Sequence, residues 1–272
     1  MDLKVNNFLI QIKYADLLRD LSQTGKIDIN KYLFGFGGEL YLDKKEIGHY
    51  KTEVIQAIRH FFTTRGLPLR LHAPITEVDY SCSGNTLRDI EETYRHTIKF
   101  CEMLGIKHVV AHAELVYKDR TDVNLHLDHA ISLWSAISQR FMDTNIFLTL
   151  ENHFETSPEG LIGIMDAVDS AYLKMCVDVG HCNAFSGLGI KKYLAMYPPG
   201  SISEVHLADN NADSDAHLPL GEGNIDFPAI FTELKKRDEY PVFILEPRTQ
   251  EETEKSLLFL KNIGVLISAN EI

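Results

Sequence analysis

The sequence predicts an α/β protein, a single (β/α)8 barrel formed by one domain over residues 1–272. Three observations predict it. Apolar runs alternate with amphipathic stretches at a spacing of roughly 30 residues, the rhythm of βαβ units in a parallel sheet. A chain of 272 residues exceeds the usual single core but suits one barrel of about 250 residues. Six apolar runs stop at a histidine or a carboxylate: Leu-His72-Ala-Pro, Val-Ala-His112-Ala-Glu114, Leu-Glu151-Asn-His153, Val-Asp178-Val-Gly-His181, Val-His206-Leu-Ala-Asp209 and Ile-Leu-Glu246-Pro. A loop stretch, Asp215-Ala-His217-Leu-Pro-Leu-Gly-Glu222-Gly, follows the His206 run. Side chains at several strand ends meet at one point only if the strands are parallel and close into a ring. The polar cluster then lies at the C-terminal mouth, where this fold does its chemistry.

The elements follow in order. Residues 5–11 and 34–41 are expected as the first two strands, with a helix over 14–24 after the first. This opening unit has the poorest pattern, because Asn6 and Asn7 interrupt its apolar run. Residues 67–74 form the third strand. Leu87, Ile90, Tyr94, Ile98 and Cys101 then fall at helical spacing, and Gly105 offers a C-cap. Residues 107–113 are a strand, 123–142 a helix, and 146–152 the fifth strand. Ser157-Pro158-Glu159 opens a helix as an N-cap with proline at the first position. Strands at 173–179 and 202–209 follow. Asp226 caps the next helix, residues 242–246 are the last strand, and a helix over 250–263 closes the pattern.

Bulk properties exclude several classes. Hydrophobic content of 44% and charged content of 24% are those of an ordinary globular protein. A formal net charge of −12 argues against a surface built for non-specific polyanion binding, although bound cations would offset part of it. Cys82, Cys101, Cys176 and Cys182 include no CxxC pair, so they read as free thiols suited to a reducing cytoplasm. No run approaches the ~18 apolar residues of a membrane span, and the first residues lack a cationic-then-apolar leader. Gly35-Phe-Gly-Gly does not match GxGxxG, which leaves no dinucleotide site. The expectation is a cytoplasmic protein without a membrane partner, its oligomeric state open.

The candidate site residues are His72, His112, Glu151, Asp178, His181, His206, Asp215, His217 and Glu246. Imidazole with carboxylate is the ligand set of Zn2+, Mn2+ or Fe2+ rather than of Ca2+. A lone histidine at a strand end also serves as hydrogen-bonded structure, and Asp215 with His217 could simply anchor a loop. Glu151 and Glu246 are different, because two carboxylates facing one mouth repel unless a cation sits between them. His153, Glu114, Asn152, Asp209 and Glu222 are close enough in sequence to orient the ligands, and Cys182 adjoins His181. Arg248 is the best-placed cation for a substrate phosphate, with a structural salt bridge as its alternative.

From about Leu67 to Glu246 the sequence resembles the xylose-isomerase-like TIM-barrel superfamily, which unites sugar and sugar-phosphate isomerases and epimerases with apurinic endonucleases of the endonuclease IV type. The carrying pieces are Cys-Val-Asp178-Val-Gly-His181, Glu-Val-His206-Leu-Ala-Asp209-Asn and His217-Leu-Pro-Leu-Gly-Glu-Gly-Asn-Ile-Asp-Phe. The resemblance implies a shared metal site at Glu151, Asp178, His206 and Glu246. It further implies His72 and His112 as ligands of a second ion, and His181, Asp215 and His217 as ligands of a third, with Glu151 bridging. One to three divalent ions per chain, Zn2+ or Mn2+, are therefore expected. In an isomerase or epimerase, Glu151 and Glu246 would remove and return a carbon-bound proton while His181 holds a substrate hydroxyl. In a phosphodiesterase the same ligands would clamp a phosphodiester. A duplex-binding enzyme needs Arg, Lys and aromatic side chains on its loops. The loops after residues 41, 113 and 208 are short and mixed or acidic. A small sugar or sugar phosphate is thus the expected substrate, with metal-dependent DNA cleavage as the alternative.

Overall fold

The computed structural model describes residues 7–76, 85–113 and 123–266. Eight strands form a closed ring in sequence order: β1 (Phe8–Lys13), β2 (Gly37–Tyr41), β3 (Leu69–His72), β4 (His108–His112), β5 (Phe147–Glu151), β6 (Leu173–Asp178), β7 (Ile202–Leu207) and β8 (Val242–Leu245). Every neighbouring pair is parallel, and β8 pairs with β1 to close the barrel. The helices are α1 (Tyr14–Thr24), α2 (Asn30–Leu33), α3 (Thr52–Arg65), α4 (Asn85–Leu104), α5 (Val123–Asp143), α6 (Glu159–Val168), α7 (Val179–Phe185), α8 (Ile190–Met196), α9 (Phe227–Lys236) and α10 (Gln250–Asn262). The expected (β/α)8 barrel is present.

Alternation along each strand separates two environments. Leu40, Leu71, Val109, Ala111, Leu148, Leu150, Met175, Val177, Val205, Leu207, Phe243 and Leu245 face the helices and are buried. Their partners in alternation, Gln11, Glu39, Arg70, His72, His112, Glu151, Asp178, Glu204 and His206, face inward. The register β6–β7 contains an irregularity: Met175 pairs with Ile202, but Cys176 pairs with Glu204. Ser203 is therefore an extra residue, a bulge that re-phases the strand. Ile202 shares the helix-facing side with Met175, whereas Glu204 and His206 join Cys176 and Asp178 inside.

Several expected boundaries shift. The first strand runs Phe8–Lys13 rather than 5–11, because Asn6 and Asn7 precede the apolar run instead of interrupting it. The second begins at Gly37, since residues 30–33 form α2 and Phe34 turns with a positive φ of 49°. Ser157 does not cap α6; the residue before the helix is Pro158, and no side chain caps it. Asp226 does cap α9, accepting from the Ala229 amide at 3.0 Å. Gly105 adopts the left-handed conformation (φ 74°) after α4 as expected. The α7 and α8 helices, which split the β6–β7 connection, had no sequence expectation.

The helical layer is packed by large rings. Trp134 of α5 is fully buried, with Tyr94 of α4 edge-on at 5.6 Å; Phe141 lies 6.1 Å from Tyr94. Trp134→Ala should cost about 3–5 kcal/mol through lost transfer and the cavity left behind. Urea unfolding measures it, and a loss under ~1 kcal/mol would show that the α4–α5 seam does not depend on this ring.

Candidate metal centre

All nine site residues expected from the sequence come together at the C-terminal mouth. Glu151 is the hub, 1% exposed. Its carboxylate oxygens lie 3.3 Å from His72 Nε2, 3.4 Å from His112 Nε2, 3.5 Å from His181 Nδ1 and 3.4 Å from His206 Nδ1. Glu246 Oε1 is 3.1 Å from the same His206 Nδ1. Asp178 Oδ2 lies 3.7 Å from His181 Nδ1. Asp215 Oδ2 joins His181 Nε2 at 3.5 Å to His217 Nε2 at 3.0 Å. Three groups in this set bring their ligand atoms within 4.8 Å of one another: His72–Glu151–His206, Glu151–Asp178–His181 and His181–Asp215–His217.

The histidines show how the rings are aimed. His72 Nδ1 lies 2.8 Å from the Ala73 carbonyl, and His181 Nδ1 lies 2.8 Å from the Asn152 carbonyl. A carbonyl oxygen only accepts, so Nδ1 carries the proton and Nε2 turns its lone pair toward the cluster. His206 is held the other way round: Nε2 is 3.2 Å from Glu204 Oε1, which leaves Nδ1 for the mouth. His217 Nδ1 is 3.3 Å from the Glu246 carbonyl. Outer partners of this kind fix the ring orientation of metal-ligating histidines.

The donor set fits a divalent ion on a second count. Glu151 Oε2, Asp178 Oδ2, His206 Nδ1 and Asp215 Oδ1 are buried and make no hydrogen bond. Buried polar atoms normally find a partner. These are four of the twelve such exceptions among the described residues, and a cation held between these side chains would supply their missing partner.

Charge within the site is strongly coupled. Burial would raise Glu151, but His206 and His112 outweigh it and hold its carboxyl well below the usual range. Burial raises Asp178, with Glu246 and Glu151 adding to it against His181. Burial opposes a charged His181 and a charged His206, yet the surrounding carboxylates lift both well above an ordinary imidazole. His217 is likewise lifted against burial, to about 9, first by its hydrogen bond to Asp215. At neutral pH, therefore, protons occupy the metal-free cluster where a cation would sit.

Asp215 and His217 arrive on a loop rather than a strand, and Asp209 shapes that loop. Its fully buried carboxylate accepts from the amides of Asn210, Gly221 and Gly223 at 2.9 Å and Ile225 at 3.2 Å. A Cβ on Gly223 would collide with Asp209 Oδ1 and the Asn210 carbonyl, so only glycine allows this approach. Asn152 also acts as expected: it accepts from the Asp178 amide at 2.9 Å, and its own amide donates to the Asp178 carbonyl and toward Cys182 Sγ. His153 stacks near His112 and His181, with ring centroids 4.6 and 4.7 Å away. Glu222 does not join the site; it pairs with Lys255 of α10 at 3.1 Å, pulled outward by the turn at Gly221. Glu114 and Cys82 lie outside the described residues.

Sequence reasoning missed a polar layer beneath the ligands. Gln11 donates to Glu39 at 3.1 Å and to Glu246, tying two carboxylates together. Glu39 lies 3.6 Å from His206 Nε2, and Arg70 pairs with Glu204 under the same ring. Glu204 stands two residues before His206, and that strand spacing was the available signal.

A sequence model of the xylose isomerase-like TIM barrel family matches residues 36–263, and the chain belongs to that family. It is 30% identical over 200 residues to the uncharacterized protein MJ1311 of Methanocaldococcus jannaschii, a match covering 70% of this chain and 68% of that protein. Among solved structures it resembles a D-tagatose 3-epimerase-like protein (TM-score 0.72, 24% identity, 94% of this chain and 96% of the other). It also resembles the TTHB071 protein from Thermus thermophilus soaked with ZnCl2 (0.71, 23%, 98% and 99%). A third is the IOLI protein with a bound zinc atom (0.69, 16%, 94% and 97%). These structural likenesses establish the shared fold. No helix among the described residues is long and apolar enough to cross a membrane.

Two outcomes are expected of the site. Metal loading at pH 7 should release protons, because His181, His206 and His217 must lose theirs to become ligands. Zn2+ titration heats should then differ between buffers of unlike ionisation enthalpy, and affinity should fall as pH drops below about 9, where His217 takes its proton; identical heats would contradict the charge assignment. Asp209→Ala should orphan buried amides at roughly 1–3 kcal/mol each. Urea unfolding should show a loss of at least ~3 kcal/mol, and an unchanged midpoint would mean that the loop is held elsewhere.

Proposed function

We propose that this chain is a divalent-metal-dependent isomerase or epimerase of a small sugar or sugar phosphate, working through an enediolate. The observation that carries the reading is that Glu151 and Glu246, from β5 and the end of β8, both reach His206 Nδ1, at 3.4 and 3.1 Å. They sit in a pocket of about 190 Å3 lined also by Tyr41, Ile75, His72, His112, His181 and His217. That volume lies below the ~300–1,000 Å3 of sites for drug-sized ligands and suits a small polyol. The epimerase-like and zinc-bearing neighbours support the same reading.

Glu151, Asp178, His206 and Glu246 would hold the ion common to both chemistries. His72 and His112 could hold a second, and His181, Asp215 and His217 a third. A bound divalent ion would polarise the substrate carbonyl and stabilise the enediolate. Glu246 is kept ionised against burial, first by His206, and Glu151 likewise by His206 and His112. One carboxylate can therefore take the proton from the carbon beside the carbonyl, and the other, once it has drawn a proton from solvent, can return one to that carbon. His181 would orient a substrate hydroxyl.

The convergence of all nine ligands favours a second reading, a metal-dependent phosphodiesterase of the apurinic endonuclease type with two or three ions. The loop after β7 opposes it: residues 208–225 carry an exposed Asp213 and no lysine or arginine to meet a phosphate backbone.

In D2O with added Zn2+ or Mn2+, the protein should exchange a carbon-bound proton of a ketose for deuterium. Glu246→Gln should lower that exchange ~10²-fold or more with the fold intact, since general-base loss typically costs this much. Retention of a tenth of the activity would exclude Glu246 as base. Duplex DNA with an abasic site should remain intact; efficient nicking that Glu151→Ala abolishes would establish the second reading instead.

A further inference from the structure

The pocket over the cluster continues beyond its rim. A groove of about 500 Å3 runs from it between the ends of β1 and β8, and Gln11 and Lys13 line both spaces. Gln11 points inward, where it meets Glu39 and Glu246. Lys13, two residues on, lies on the same face one level higher. Its ammonium therefore stands at the threshold between pocket and groove.

The groove is lined by four cations, Lys13, Arg19, Lys31 and Arg248, and by the carboxylates of Asp16 and Asp20. Two of the cations are engaged by the acids: Arg19 pairs with Asp16, and Lys31 with Asp20, each at 2.7 Å. Lys13 and Arg248 pair with no carboxylate among the described residues. The Arg248 guanidinium is instead set against the Asp215 carbonyl at 3.4 Å, on the rim of the candidate metal centre. Two exposed cations without a carboxylate partner keep their charge and donors available to an anion that enters the groove.

We propose that Lys13 and Arg248 form an anion subsite, so that the natural substrate bears a phosphate or carboxylate at the end remote from the reacting carbons. The inference rests on the sugar isomerase or epimerase reading and narrows it to acidic sugars. The pocket takes the carbonyl end, and the groove takes the anionic tail. Arg offers a planar fork to an oxyanion, and Lys adds a point charge from the neighbouring strand end.

The test compares charged and neutral ketoses on the metal-loaded protein: D-ribulose 5-phosphate with D-ribulose, and D-fructose 6-phosphate and D-fructuronate with D-fructose. Proton exchange into D2O is expected to show kcat/KM at least tenfold higher for a charged member. The Lys13→Met, Arg248→Met double variant should reduce that preference at least tenfold, mainly through KM. Preference for the ester or for the acid names the anion, and either supports the proposal. Equal turnover of charged and neutral sugars by the wild type, or an equal loss on both in the variant, would overturn it. If no ketose exchanges at all, the isomerase reading fails by itself, and calorimetry with glycerol 3-phosphate and glycerate then judges the subsite. Binding weakened tenfold in the double variant supports it; absent or unaltered binding refutes it. Both side chains are exposed, and urea unfolding of the variant confirms that its fold is retained.

Discussion

Everything at this barrel mouth depends on the crowding of buried negative charge around one imidazole. Glu39, Glu151, Asp178, Glu204 and Glu246 are all buried in the upper barrel. Arg70, paired with Glu204, is the permanent cation that reaches them. Burying a carboxylate without compensation costs several kcal/mol even after relaxation. His181, His206 and His217 therefore hold protons that free imidazoles would release, and Gln11 offers its amide to two acids at once. A divalent ion answers the same demand more strongly. The charge excess is thus a standing requirement for cations, met by protons or by metal.

The ligand layer was legible because parallel strands end where their apolar runs end. A polar residue at the end of each of six such runs is improbable unless the ends meet. The layer below was not legible for the same reason. Glu39 and Arg70 lie within short strands, where a charged residue ordinarily signals an exposed face, and only the closed ring shows that this face is internal. Glu204 alternates regularly with His206, and the bulge at Ser203 lies just before it, so the spacing of the pair was the signal for this layer. The first strand starts three residues later than expected and runs past Gln11 to Lys13, because Asn7 lies outside its ladder. Glu222 looked like a ligand partner from adjacency alone, and the turn at Gly221 sends it to the surface.

The division of labour between strands and loops bears on which chemistry the site can host. Six of the candidate ligands sit on or directly after strands, fixed by ladder hydrogen bonds, and His181 lies in the helix that opens as β6 ends. Asp215 and His217 hang from a loop whose shape is set by a single carboxylate, that of Asp209. The ring therefore supplies the rigid half of the site. The adjustable half is delivered by backbone that another sequence could re-route without disturbing the barrel.

The bulge in β7 acts as a phase setting for the whole site. Upstream of Ser203 the strand turns one set of side chains toward the helices, and downstream it turns the opposite set. A chain with the same residues in regular register, Ser203 paired opposite Cys176, would still alternate apolar with polar and could still close eight strands. Its imidazole at position 206 would then project into the helical layer, and an apolar neighbour would enter the mouth in its place. Chemical competence in this barrel is thus a matter of parity: whether one residue of a buried strand is bulged or paired decides whether an imidazole or an apolar side chain faces the mouth.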